Sequence, residues 1–295
     1  MQTVGILGGL GPLAGAHFYR RLVELTPAES DEDHIPVILV SHPDVPSRIH
    51  HLSGTGPSPV PKLTELCRQL EQLGARIIAV PSTTTSIYQA ELSLEVNVPI
   101  ISLIDEVTRV IATDGCTTES GMSERGTTER GTTERGTSER GISDRGTSDR
   151  GTSDRGTRIG IMGTTPTRTF AVYESAFARH GIQPLYPDDA SQSDIMDVIR
   201  AVKGSQQYGS QGADGRPRGI ASLAELAREV TAIASRPWAQ TLDGILLGCT
   251  ELPVLFPTPD ALAAFPPKLK VFSSTDILAT AVVRAACGST YERTR

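Results

Sequence analysis

The chain predicts an α/β fold of two pseudo-symmetric lobes, each a three-layer unit with a parallel sheet between helices, and an active site in the cleft between them. Three observations lead there. Short apolar runs that contain or follow a glycine or a polar residue, Thr3–Leu7, Arg76–Val80 and Gly244–Leu247, read as buried parallel strands. Amphipathic stretches at helical spacing separate them. The order then repeats. Arg158-Ile159-Gly160-Ile161-Met162-Gly163-Thr164 echoes Thr3-Val4-Gly5-Ile6-Leu7-Gly8-Gly9, and Leu223, Leu226, Val230 and Ile233 copy the 3, 4, 3 spacing of Leu63, Leu66, Leu70 and Leu73.

Taken in order, the first strand runs into Gly8-Gly9-Leu10-Gly11, and Pro12 suits the first turn of a helix. Leu13, Phe18, Leu22 and Leu25 give that helix its apolar stripe. Gly9 to Ala14 formally matches the dinucleotide fingerprint G-x-G-x-x-A, but the next strand, Pro36–Val40, ends in Ser41-His42-Pro43 and lacks the acidic residue that would hold a ribose. The glycine loop is better suited to bringing backbone N–H groups close to a carboxylate; a plain strand-to-helix turn is the alternative. A helix carrying Leu63 to Leu73 ends at Gly74, and the strand Arg76–Val80 opens into Pro81-Ser82-Thr83-Thr84-Thr85-Ser86. This exit is nearly all hydroxyl, an anion cradle or a polar turn capping the next helix. A strand over Val98–Leu103 follows, and a helix begins near Asp105.

From Gly121 to Arg155 the chain is seven consecutive units of Gly-x-Ser/Thr-Glu/Asp-Arg. Each unit is charge-balanced and almost without large apolar side chains, so it buries too little surface to offset the entropy of ordering. A disordered insertion is expected. The lobes are expected over 1–103 plus 272–295 and over 104–271, the second carrying the insertion and the last helix, from Thr275, returning to the first. Gly204 to Gly219 is a Gly/Ser/Gln-rich loop, either a lid or tolerated length.

With a net charge of −6 over 295 residues, the basic footprint of a nucleic-acid binder is missing, and a small-molecule partner is expected. No long apolar stretch or basic leader is present, which points to a cytoplasmic protein without a membrane span. The four cysteines are scattered and the six histidines show no ligand spacing, so neither metal nor disulfide framework is implied. Among the cysteines, Cys249 stands apart. It follows the apolar run Gly244–Leu247, at the carboxyl end of a parallel strand where ligand crevices form, flanked by Gly248, Thr250 and Glu251. A cysteine is also a common small core residue, but this one lies beyond the strand. Its thiolate would be helped by neighbouring backbone N–H groups.

Val4 to Ala14, His34-Ile35-Pro36, Pro46-Ser47-Arg48 and Gly248-Cys249-Thr250-Glu251-Leu252-Pro253 together resemble the cofactor-independent aspartate/glutamate racemase family, and the Glu-Leu-Pro ending resembles its aspartate racemase branch. The resemblance spans almost the whole chain outside the repeat. It implies a racemase working on aspartate or glutamate without pyridoxal phosphate, a homodimer, and two cysteines on opposite faces of Cα. That agrees with elementary chemistry, since inverting a stereocentre by proton transfer needs an acid/base group on each face. A thiol, with a reference pKa of about 8.5, serves in both directions.

This chain departs from the pattern at the first cysteine. Where the family carries Pro-Cys-Asn-Thr-Ala-His, Ser82 replaces the cysteine and Thr83 the asparagine, and the resemblance keeps Thr83 among the substrate-binding residues. The resemblance assigns Arg48 and Lys203 to the substrate's side-chain carboxylate, and Thr84, Thr164 and Thr250 to its α-carboxylate. A serine hydroxyl is a weak base unless activated. Two other classes therefore stay open: a one-cysteine lyase of the arylmalonate decarboxylase type, and a ligand-binding relative without catalysis. Limited proteolysis should cut first between Gly121 and Arg155, before either lobe is nicked; resistance of that stretch would contradict the expected insertion.

Overall fold

The structure, a computed structural model, describes residues 1–115, 156–204 and 222–288. The repeat at 121–155, Cys116 and nearly all of the loop over 204–219 lie outside the described residues. The first half of the chain contains β1 (Val4–Gly8), α1 (Pro12–Leu25), β2 (Val37–Ser41), α2 (Arg48–Leu52), α3 (Val60–Gln72), β3 (Ile77–Ala79), α4 (Gln89–Ser93), β4 (Ile100–Ile101) and α5 (Leu103–Gly115). The second contains β5 (Thr157–Met162), α6 (Thr165–Thr169), α7 (Glu174–Ala178), β6 (Ile182–Leu185), α8 (Asp189–Gly204), α9 (Leu223–Ile233), β7 (Gly244–Leu247), β8 (Lys270–Ser273) and α10 (Ser274–Cys287).

Both sheets are wholly parallel, ordered β2-β1-β3-β4 and β6-β5-β7-β8. The second order is the first with every index raised by four, so the repeat read in the sequence is a repeat of topology. Successive strand residues face different cores. Val4, Ile6, Ile77 and Ala79 join Ile159, Ile161 and Leu246 in a central core shared by both lobes, with Phe18, Val107, Phe177 and Leu278 from α1, α5, α7 and α10. Leu7 and Ile78 face an outer core under α3, whereas Met162, Ile245 and Leu247 face another under α8 and α9. The final helix α10 lies against α1 and α5, where Arg21 pairs with Asp276 at 2.6 Å. Two sheets with both faces covered explain the unbroken apolar runs.

Boundaries moved where local hydrogen bonding outweighed apolar pattern. The strand expected over Val98–Leu103 shortens to Ile100–Ile101, because the Ser102 hydroxyl accepts the Asp105 N–H at 3.1 Å and starts α5 at Leu103. The helical stripes also lose their end members. Leu63, Leu66 and Leu70 are fully buried, but Leu73, at the C-cap of α3, is 57% exposed. Leu13 and Leu223, each in the first turn of its helix, are exposed for the same reason: the end turns overhang the sheet.

Among the described residues, no helix is long and apolar enough to cross a membrane. Leu70→Ala should lower stability by about 2–5 kcal/mol, as expected of a buried leucine, and Leu73→Ala by no more than about 0.5 kcal/mol. Urea unfolding of the two variants checks the contrast.

Candidate active site

The exits of β3 and β7 occupy equivalent places in the two sheets and meet at the lobe junction. After β3 the chain turns through Val80, Pro81 and Ser82 into a 3-10 segment, Thr84–Tyr88. After β7 it turns through Gly248 to Cys249, Thr250 and Glu251. The Thr83 hydroxyl donates to the Gly248 carbonyl at 2.5 Å, and the Tyr173 hydroxyl reaches the same oxygen at 3.4 Å. Ser82 and Cys249, each next to one partner of the Thr83–Gly248 bond, are therefore brought to one place. Both are buried.

On the first-lobe side only hydroxyls answer one another. Ser82 Oγ and Thr85 Oγ1 stand 2.8 Å apart, and the Thr85 N–H donates to the Ser82 carbonyl at 3.2 Å. Thr83, assigned to substrate by the resemblance, has its hydroxyl committed to Gly248 instead. Thr84 is partly exposed in the same turn. Thr164, at the N-cap position of α6, shares a 3.0 Å hydrogen bond with Thr167, and Thr250 is buried beside Cys249.

On the second-lobe side the chemistry is ionic. The Cys249 thiol donates to Oε2 of Glu251 at 2.8 Å, and Oε1 of Glu251 pairs with Nζ of Lys203 at 2.8 Å. Glu251 is only 3% exposed. The glycine loop closes over it: a Cβ at Gly11 would stand 2.1 Å from Oε1, so a side chain there would displace the Glu251 carboxylate. Gly9, with φ of +85° and a Cβ position 2.3 Å from the His42 nitrogen, must likewise be glycine. The carboxylate met by this loop is thus the protein's own. Arg48, at the start of α2, donates from Nη2 to the Leu10 carbonyl at 2.8 Å, while its buried Nε has no partner among the described residues. The buried Tyr88 hydroxyl likewise has none among them, and its ring lies 5.9 Å from that of His51, one turn beyond Arg48 on α2. Burial lowers the Arg48 pKa, an effect opposed by Glu251 and Tyr88.

The thiol itself differs from the sequence expectation. Burial and then the Glu251 carboxylate hold the Cys249 pKa well above its ordinary value, outweighing the opposing charge of Lys203. The backbone N–H at Glu251 also favours the thiolate, but more weakly. Cys67, by contrast, is pushed up to about 12 by burial alone and lies in the outer core. Two residues of this site escaped the sequence reading as chemistry. Glu251 was visible there only as a neighbour of Cys249 and part of a signature, and Tyr88, beyond the Pro81–Ser86 exit, was not singled out.

The fold and site define an α/β pair of lobes with a buried thiol where the two strand exits meet. Family comparison gives the class: the Asp/Glu/hydantoin racemase model matches residues 7–154 and 149–282, and the chain belongs to that family. In fold it is similar to the aspartate racemase of Picrophilus torridus, at 21% identity over 99% of this chain and 98% of that one, with a TM-score of 0.69. An arylmalonate decarboxylase shares the fold at 14% identity, 97% and 94% coverage and a TM-score of 0.50. In sequence, 99 residues are 30% identical to an uncharacterized protein in the pnlA 3' region of Pectobacterium carotovorum subsp. carotovorum, covering 34% of this chain and 55% of that protein. The match thus spans about half the length of that curated relative.

Because its pKa is raised, Cys249 should react slowly with iodoacetamide at pH 7 and accelerate only as the pH climbs above that of an ordinary thiol. Peptide mass mapping of the alkylated protein at successive pH values checks this; rapid labelling at pH 7 would contradict it.

Proposed function

We propose that this protein is a cofactor-independent amino-acid racemase that interconverts the enantiomers of aspartate or glutamate by proton transfer at Cα. The observation that carries the reading is the meeting of the two strand exits: Thr83 bonds the carbonyl of Gly248, so Ser82 and Cys249 lie on either side of one junction. Cys249 serves one face of Cα and the Ser82 hydroxyl the other. Arg48, whose buried Nε lacks a partner among the described residues, suits the distal carboxylate, and the threonine hydroxyls at 84, 164 and 250 suit the α-carboxylate.

The two faces are unequal on this reading. Ser82 is hydrogen-bonded only to other hydroxyl and backbone groups, and such a serine donates a proton far more readily than it abstracts one. Abstraction from the Ser82 side should therefore be slow. A second reading is favoured by the protonated state of Cys249: a one-cysteine lyase, in which loss of carbon dioxide makes the carbanion and the thiol only protonates it.

Incubation with L-aspartate in deuterated water separates these readings by exchange at Cα, optical rotation and mass. Racemisation with exchange supports the racemase, loss of a carboxyl group supports the lyase, and binding without either removes both. For the racemase, Ser82→Cys should raise racemisation by roughly 10²- to 10⁴-fold, the range of a well-placed acid/base group.

A further inference from the structure

Resting on the proposed reaction of aspartate or glutamate, we infer that Tyr88 is a substrate-binding residue whose hydroxyl joins Arg48 in holding the distal carboxylate, and that it selects against an analogue ending there in a methyl group. A pair of orphaned polar atoms carries this. The Tyr88 hydroxyl and the Arg48 Nε are both buried and have no hydrogen-bond partner among the described residues. Tyr88 as a whole is only 7% exposed. A buried hydroxyl left unpaired is destabilising, and phenylalanine would pack the same ring without that cost. Both orphaned groups can donate, so the two oxygens of one carboxylate would answer them together.

The fold brings these two groups together and fixes both. Tyr88 ends the 3-10 segment Thr84–Tyr88, so it rides on the same strand exit as Ser82. Helix α2 packs against that segment, and its His51 ring lies 5.9 Å from the Tyr88 ring at a tilt of 45°. The helix that carries Arg48 therefore also holds the phenol. Arg48 is tied by Nη2 to the Leu10 carbonyl at 2.8 Å, and Leu10 shares the outer core with Tyr88. Burial raises the Tyr88 pKa, Arg48 opposes that and Glu91 adds to it, which leaves a neutral phenol as donor at pH 7. Arg48, Lys203 and Glu251 face one another, two cations against one carboxylate, so one positive charge remains for a ligand anion. Arg48 supplies charge and Tyr88 supplies direction. Donors placed in this way stay unpaired against a methyl group, and such a site discriminates strongly.

Tyr88→Phe removes the hydroxyl and keeps the ring. Succinate and butyrate, which differ only by a carboxylate against a methyl group, are the probes, with binding read by calorimetry. The ratio of succinate to butyrate affinity should fall in the variant by about 10- to 100-fold, the range of a hydrogen bond to a charged group. A merely structural defect would weaken both probes and leave the ratio in place. An unchanged ratio would overturn the inference, and so would a wild-type protein that prefers butyrate or binds neither acid.

Thermal unfolding without ligand supplies an independent reading. Because the hydroxyl has no protein partner, the Tm of Tyr88→Phe should equal or exceed that of the wild type, whereas a lower Tm with a well-formed fold would reveal such a partner and overturn the inference. Tyr88→Met, an adaptable apolar side chain without a donor, gives the same affinity ratio should the phenylalanine variant fold poorly. Where turnover is present, kcat/KM for L-aspartate relative to L-2-aminobutyrate should fall by the same factor as the affinity ratio; an unchanged ratio would overturn the assignment. If the wild type exchanges neither amino acid, the racemase reading fails, while the carboxylate site at Tyr88 still stands or falls on succinate and butyrate.

Discussion

A carboxylate taken out of water must find counter-charge and hydrogen bonds, since desolvation of an ion costs several kcal/mol in a folded protein. Around Glu251 that requirement draws in both lobes. Lys203 arrives from α8 of the second, while Arg48 on α2 and the backbone at Gly11 belong to the first. Moving either lobe would strip partners from a buried charge. Breaking such a group is costly even where forming it adds little net stability, so the junction is better explained by specificity of arrangement than by strength.

The sheets supply the frame in which this junction is possible. Because the two strand orders are the same, the β3 and β7 exits have equivalent positions, and the shared core of α1, α5, α7 and α10 presses the sheets toward each other. The Gly248 carbonyl then accepts the Thr83 hydroxyl from across the boundary, together with the Tyr173 hydroxyl from its own lobe. The Thr83–Gly248 bond thus helps set how closely Ser82 and Cys249 approach.

Much of this was legible in the chain because apolar periodicity reports burial. The repeated strand runs, the stripes of α3 and α9 and the polar exits at Ser82 and Cys249 all follow from residues whose environment is set by their own element. Contacts made across long stretches of sequence were not legible. Lys203 and Glu251 belong to α8 and to the turn after β7, and their pairing depends on where α8 lies over the second sheet. The same holds for the Arg48 bond to the Leu10 carbonyl and for the ion pair of Arg21 with Asp276. Leu73 and Leu13 misled for a simpler reason: helical spacing identifies a face but not where the sheet beneath it ends.

The two sides of the site obey different physics. The first-lobe exit, Pro81 to Ser86, contains no titratable side chain, so its hydroxyls offer hydrogen bonds but no group whose charge changes near neutrality. The second-lobe exit places a thiol, a carboxylate and an ammonium in one line. On the racemase reading proposed above, a carbanion formed between them would be protonated mainly from the Cys249 side, with the Ser82 side contributing shape and hydrogen bonds. Replacing one cysteine by serine in a two-cysteine plan therefore does more than weaken a base. It leaves the first-lobe exit with hydrogen-bonding groups alone, while a thiol and a carboxylate stand together at the second.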